Sequence, residues 1–370
     1  VKSGQISETQ QLGPMSGFII PHTMQISIGI LSFQQLLSKN SGQDAWLACL
    51  IGGLFSLAIM WMILRLLENE QKFGRADLFS LHQRLFGKWL GGLLNFFVSA
   101  HVVLFGVVFL RSYIEILQVW IFPQLSVFTF TILFCLIVWY IVLGGIRIVG
   151  GICLLSFIYM IPLYMSTAFA VPEAYFSNLL PMFDHSPAPI LISAFHTTHI
   201  YLGFELMLYF YPFIKRPQLA KKWCYFGILT SMYIYIILML MGTVFFSRGE
   251  MRLTIWPTIT FWKSISFPLL EHVDMIIIVY FMWALLPSVS MSAWIVSRCV
   301  KHTFPVIKQK YALVGVLLIF VIISDLIKNG EQVKFANDLY GNIGFFIVYA
   351  YIPFLLFYQW LMKKVRGKAA

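Results

Sequence analysis

Charge is scarce in this chain. Asp, Glu, Lys and Arg together make up 11% of its 370 residues, while apolar residues make up 59%. So little charge excludes a water-soluble fold of this length, and apolar runs of about 20 residues recur from end to end. A polytopic α-helical membrane protein remains. Cysteine is scarce as well: Cys49, Cys135, Cys153, Cys224 and Cys299 lie in or beside apolar segments, are odd in number and form no C-x-x-C pair. That excludes a disulfide framework and leaves buried structural thiols. Catalytic motifs are missing, with no H-E-x-x-H and no G-x-S-x-G, which speaks against an intramembrane enzyme. His196 and His199 form an H-x-x-H with no thiolate or motif glutamate near them, so no metal ion or other cofactor is expected. The net charge of +11 has no soluble domain on which to gather, so no nucleic-acid partner is expected. Residues 1–13 are polar and lead into no basic, apolar and small-residue succession, so no cleaved signal peptide is expected and the first span is read as directing insertion.

Hydropathy gives about ten transmembrane helices, at residues 14–37, 45–67, 90–119, 126–143, 147–170, 188–211, 219–246, 271–296, 311–328 and 341–363. With the N-terminus in the cytoplasm, 18 of the Lys and Arg residues fall in inside segments and six outside, while Arg65 and Arg111 fall within spans. The positive-inside rule therefore places both termini in the cytoplasm, which requires an even number of crossings. Residues 73–89 set Leu78, Leu81, Leu85 and Trp89 at helical spacing among basic residues, as in an amphipathic helix lying on the inner leaflet of the lipid bilayer. Residues 247–270, with Trp256, Pro257, Trp262 and Pro268, form the longest outside loop, open to reading as a lid, a partner-docking loop or an interfacial aromatic anchor.

Two spans are interrupted by residues that a lipid-facing helix has no reason to carry. The first is interrupted by Pro21, Ser27 and Gly29 and the sixth by His196, Thr197, Thr198, His199, Gly203 and Glu205, with Gln25, Ile28, Ile30, Tyr201 and Leu202 as further candidate ligand-site residues beside them. Matching interruptions in corresponding positions of two halves point to a solute site near the membrane midplane, because a broken helix exposes backbone N–H and C=O groups. The expected architecture is all-α, with residues 1–170 and 188–363 as two five-helix repeats of inverted topology and broken helices one and six. N–H groups near Gly29 suit a carboxylate, and carbonyls ending the first half of span six near His196 to His199 suit an ammonium group. An amino acid carries both. Gly29 reads equally as a close-packing or kinking residue, and Gln25 and Ser27 either line the site or bond neighbouring carbonyls.

A carboxylate inside an apolar span is costly, so Glu205 pairs, protonates or faces a wet cavity. Thr198, Tyr201 and Glu205 are spaced i, i+3 and i+7, as on one helical face. In span three, His101 and Phe105 are one turn apart, while the spacing of Arg111 and Glu115 fits a neutralising ion pair. In span eight, Tyr280 and Trp283 are candidates to reach the core, and Glu271 and Asp274 read as solvated charges near the outer interface.

Five strings then carry a resemblance: QISIGIL in span one, LFGKWLGG before span three, YLGFE with YPFIKRP in span six, WPTI in the long loop, and LLEHVDMIIIVYFMW opening span eight. In this order the chain resembles the spore germination permeases, the B subunits of endospore nutrient germinant receptors, within the amino acid–polyamine–organocation superfamily. The resemblance implies a LeuT-type fold in the spore inner membrane or bacterial cell membrane. It implies binding of a small-molecule nutrient and partnership with a larger A subunit and a C-subunit lipoprotein. One departure is local: members often carry a small-residue pair in the first break, whereas here Ser27 and Gly29 flank Ile28. The competing function is a proton-coupled amino-acid transporter, which the same fold and Glu205 would serve.

Overall fold

The computed structural model describes residues 8–74, 76–263 and 273–366. Glu271 lies outside them, as does the side chain of Asp274, so the solvated charges expected there go undescribed. Seven helical stretches among the described residues are long and apolar enough to cross a membrane, and Val127–Leu143 is a shorter apolar one. No strand occurs among the described residues; their one isolated bridge joins Leu12 and Ile214.

The chain opens with α1 (Ser16–Gln25) and resumes, after a break, in α2 (Phe33–Ser41). A turn leads to α3 (Ala45–Gln71), and Asp44 in that turn accepts hydrogen bonds from the Phe183 and His185 amides at 2.8 and 3.3 Å. The long α4 (Leu78–Trp120) starts where the Asp77 carboxylate accepts from Ser80 N, and bends at Gly87, whose φ of +80° only glycine adopts freely. The bend separates a short first limb from the membrane-spanning one. It also divides the amphipathic face expected over 73–89, since Leu78, Leu81 and Leu85 are buried while Trp89, beyond the bend, is 95% exposed. Then follow α5 (Val127–Leu143), α6 (Ile146–Ser166) and the first half of the second interrupted span, α7 (Pro187–Ile200). That span ends in the single turn α8 (Met207–Phe210), and α9 (Pro217–Phe245) crosses back.

Two short helices, α10 (Arg248–Leu253) and α11 (Pro257–Lys263), occupy the described part of the long loop. A capping box starts α10: Ser247 Oγ accepts from Glu250 N, and Glu250 Oε2 accepts from Ser247 N at 2.9 Å. The remaining helices are α12 (Val273–Tyr280), α13 (Met282–Thr303), α14 (Gln309–Leu326), α15 (Gly330–Phe345) and α16 (Ile352–Arg366), the last two joined by a π-helical turn. The final helix begins eleven residues before the 341 that hydropathy gave, because Asn329 caps it through Gln332 N and its first turns are polar. Hydropathy reports where a helix enters the apolar layer, whereas hydrogen bonding decides where it starts.

In the packed bundle α13 runs along α4, α1 lies against α9 and α6, α3 against α9 and α7, and α15 against α4 and α7. Small residues make the central crossings close: a Cβ on Gly227 of α9 would meet the Phe18 carbonyl oxygen of α1 at 2.9 Å. Large apolar side chains such as Phe96, Leu133 and Leu318 stay more than half exposed on outer faces, where the surrounding phase is lipid.

Candidate ligand site at the paired helix breaks

The α1 helix stops at Gln25. Ile26 has ψ +80° and Ser27 is extended (φ −129°, ψ −147°) before a short 3₁₀ turn, Ile28–Leu31, restarts the span. In the other interrupted span α7 ends at Ile200, and Gly203 takes φ +119° ahead of the turn Phe204–Leu206. The second break thus lies at Tyr201 to Gly203. The helix end expected near His196 to His199 falls at Ile200, one residue on, and Tyr201 N still bonds Thr197 O at 3.1 Å.

The two breaks lock onto each other. Gln25 Nε2 donates to Tyr201 O at 2.9 Å, and a Cβ on Gly203 would sit 2.8 Å from the Met24 carbonyl carbon and Cβ. From α9, Tyr235 Oη donates to Gln25 O at 2.8 Å and lies 3.1 Å from Ile200 O, so one buried hydroxyl serves a carbonyl of each break. The carbonyls that the breaks leave at Gln25, Ile200 and Tyr201 therefore already have partners. Ser27 Oγ donates to Ala284 O at 3.2 Å and accepts from Ser288 Oγ at 3.1 Å, tying span one to α13. Thr258 Oγ1 lies 2.8 Å from both Ile30 O and Gln34 Oε1, docking α11 on the second half of span one. That gives the described part of the long loop a structural place over the first break.

Other expected residues face elsewhere. Thr197 Oγ1 bonds Ala48 O and Ala194 O, Thr198 Oγ1 bonds Phe195 O, and Tyr201 Oη donates to Cys49 O of α3 at 3.0 Å. Glu205 does not share a helical face with Thr198 and Tyr201, because the helix that would give the i+7 relation ends between them. Its Oε2 accepts from Gly203 N at 2.6 Å, closing the turn that reverses the break. His101 stacks on Tyr340 of α15 with ring centroids 5.1 Å apart, and Phe105 lies 5.7 Å from the same ring, so these two do share a neighbour. Leu202 joins them: it and His101 both press on Gly344. Tyr280 and Trp283 turn to α6 instead, with Tyr280 Oη donating to Tyr159 O and Trp283 stacked on Tyr159 at 4.8 Å. Arg111 gives its hydrogen bonds to Ile327 O (2.8 Å) and Lys328 O (3.4 Å) at the end of α14, not to Glu115. Helix-end carbonyls, poor in partners, take the hydrogen bonds, while Glu115 acts on Arg111 through charge alone.

What remains for a ligand is narrow and specific. A Cβ on Gly29 would have nothing within 4 Å, so open space adjoins the start of the 3₁₀ turn, where the first N–H groups have no intrahelical acceptor. Around the breaks Gln25 Oε1, both ring nitrogens of His101, His199 Nε2 and Tyr340 Oη are buried with no protein partner. A buried polar atom without a partner costs about 1–3 kcal/mol, so these five atoms make the surroundings of the breaks a candidate site for polar groups. No group of three or more His, Cys, Asp or Glu side chains suited to a metal occurs among the described residues. Sequence reasoning missed Met24, Tyr235, Ala284 and Ser288, since a tyrosine or serine in an apolar helix carries no signal of which carbonyl it will meet.

The protein is thus a multi-pass membrane protein with two mutually bonded helix breaks at its centre. The fold is similar to that of Mhp1, a nucleobase-cation-symport-1 family transporter solved closed with bromovinylhydantoin bound (TM-score 0.60, 11% identity, 93% of this chain and 82% of that one). It is also similar to the Eremococcus coleocola manganese transporter (TM-score 0.61, 12% identity, 96% and 81%). Both place it in the LeuT-type class of transporter folds. In sequence, residues 11–333 match the spore permease family, described as spore germination protein, and the chain belongs to that family. Its relatives include Spore germination protein GerQB of Bacillus cereus, 34% identical over 366 residues (98% of this chain, 99% of the relative). Spore germination protein B2 of Bacillus subtilis (strain 168) is 25% identical over 258 residues, 69% of this chain and 68% of the relative.

Proposed function

We propose that this chain is the nutrient-sensing subunit of a spore germinant receptor, and that it binds a small zwitterion, an amino acid, between its two helix breaks. The observation that carries the reading is the Gln25–Tyr201 tie beside the open space at Gly29. A carboxylate at Gly29 takes the amides that open the second half of span one, and an ammonium group competes with Gln25 and Tyr235 for the Tyr201 and Ile200 carbonyls. Ser27, Ile28 and Ile30 shape the pocket, while Glu205 and Gly203 hold the turn that presents those carbonyls.

Such a ligand favours a conformer in which the tie between the breaks is exchanged for contacts to the solute. Binding then biases a conformational equilibrium by its differential affinity for the two states. Partner subunits, an A subunit and a C-subunit lipoprotein in the spore inner membrane, read that bias without net flux. Transport by the same site is the competing reading, favoured by the likeness to transporter folds. Reconstitution separates them: labelled amino acid should bind saturably to the purified receptor complex, whereas this chain alone in liposomes should show little uptake under a proton gradient. Uptake continuing past one solute per protein, with no partner present, would overturn the sensor reading.

A further inference from the structure

On the face that holds the N-terminal segment, a cavity of about 460 Å³ opens between the α5–α6 turn, the end of α13 and the start of α14. Arg298, Lys301 and Lys310 line it together with His302, and none of its lining residues is acidic. Arg298 is held in place: its guanidinium lies 4.4 Å from the Phe213 ring centre and 5.6 Å from that of Trp294, and Nη2 is 3.4 Å from Asp77 Oδ2. Asp77 faces Arg298 and leaves Lys301 and Lys310, both exposed, as the cations of the rim. Its buried wall is apolar, from Trp294 and Leu313, with Leu143 exposed at the edge.

A cationic rim over an apolar wall, set between helix ends, matches one chemistry: a phosphate-bearing headgroup whose acyl chains run on along the helices. The cavity beside it differs, because there Arg147, Lys215 and Arg216 face Glu8, with Lys215 Nζ 3.6 Å from Glu8 Oε1. We propose that the cavity between α5, α13 and α14 binds the headgroup of an anionic phospholipid. The site has a mechanical consequence. Phe213, under the Arg298 guanidinium, accepts the hydrogen bond from Leu12 N at 2.7 Å, and Lys215 N donates to Leu12 O at 2.8 Å. A bound headgroup braces the clasp that closes this face of the bundle.

The test is native mass spectrometry of the purified chain in neutral detergent, titrated with phosphatidylglycerol, with phosphatidylcholine, and with inorganic phosphate. Phosphatidylglycerol should be retained and phosphatidylcholine not. Lys301→Gln/Lys310→Gln should weaken phosphatidylglycerol binding by roughly 20- to 30-fold, at about fivefold per cation near the headgroup. Lys363→Gln/Lys364→Gln, the same charge change in the last turn of α16, should alter it less than about twofold. The single variant Lys310→Gln, expected to lose about fivefold, serves if the double variant fails to fold. Equal retention of phosphatidylcholine, equal loss in the α16 variant, or displacement of the lipid by an equal concentration of inorganic phosphate would each overturn the proposal.

Discussion

Replacing Tyr235 with phenylalanine removes one oxygen and leaves the ring that packs edge-on against Tyr201 at 5.1 Å and Phe33 at 5.0 Å. The lost hydroxyl is the shared donor to Gln25 O and Ile200 O, the two carbonyls exposed where α1 and α7 end. Gln25 is buried and Ile200 half-buried, and the phenyl ring offers their carbonyls nothing. Leaving a buried acceptor unsatisfied costs about 1–3 kcal/mol, so the variant should unfold in detergent at lower denaturant, with stability reduced by about that amount. Tyr233 is the internal control: two residues away on the same helix but 65% exposed, its conversion to phenylalanine should change stability by less than about 0.5 kcal/mol. Equal stability of wild type and Tyr235→Phe, or an equal loss in Tyr233→Phe, would refute the claim that one hydroxyl couples the two breaks.

Glycine roles separate in the same assay: Gly203→Ala should lose about 1–3 kcal/mol from backbone strain at φ +119°, besides the clash with Met24, whereas Gly29→Ala should fold like wild type. Reversing both charges at Arg111 and Glu115 should restore only part of the folded yield lost on reversing Arg111 alone, because Arg111 gives its hydrogen bonds to the Ile327 and Lys328 carbonyls and meets Glu115 through charge alone; full rescue would contradict that division. Hydrogen bonds from the Ser247 backbone and side chain hold the Glu250 carboxyl below the usual range against a small opposing effect of burial. With its folded pKa lowered, Glu250 stabilises α10 above the ordinary carboxylate pKa, and that contribution fades as pH falls through the folded value. Hydrogen-exchange protection of Arg248–Leu253 should therefore drop in acid in the wild type, and a Glu250→Gln protein with the same pH dependence would contradict it.

The interrupted spans were legible because polar and glycine residues inside an apolar run have few structural alternatives. Their exact geometry was not. Periodicity placed Thr198, Tyr201 and Glu205 on one face by assuming a helix that continues, yet the break itself, at Tyr201 to Gly203, cancels that relation. The Arg111–Glu115 spacing was real, but a competing acceptor 216 residues away in sequence took the guanidinium. Tyr235 was invisible for the same reason: its role is fixed by two carbonyls from distant elements, and neither leaves a mark near it in the chain.

The central claim is that a solute occupies the space at Gly29, and equilibrium binding of labelled amino acids to the purified receptor complex tests it most directly. Gly29→Leu fills that space with four carbons, so it should abolish saturable binding while Gly29→Ala retains it and both proteins remain folded in the membrane. Undiminished binding by folded Gly29→Leu would place the ligand elsewhere and contradict the account.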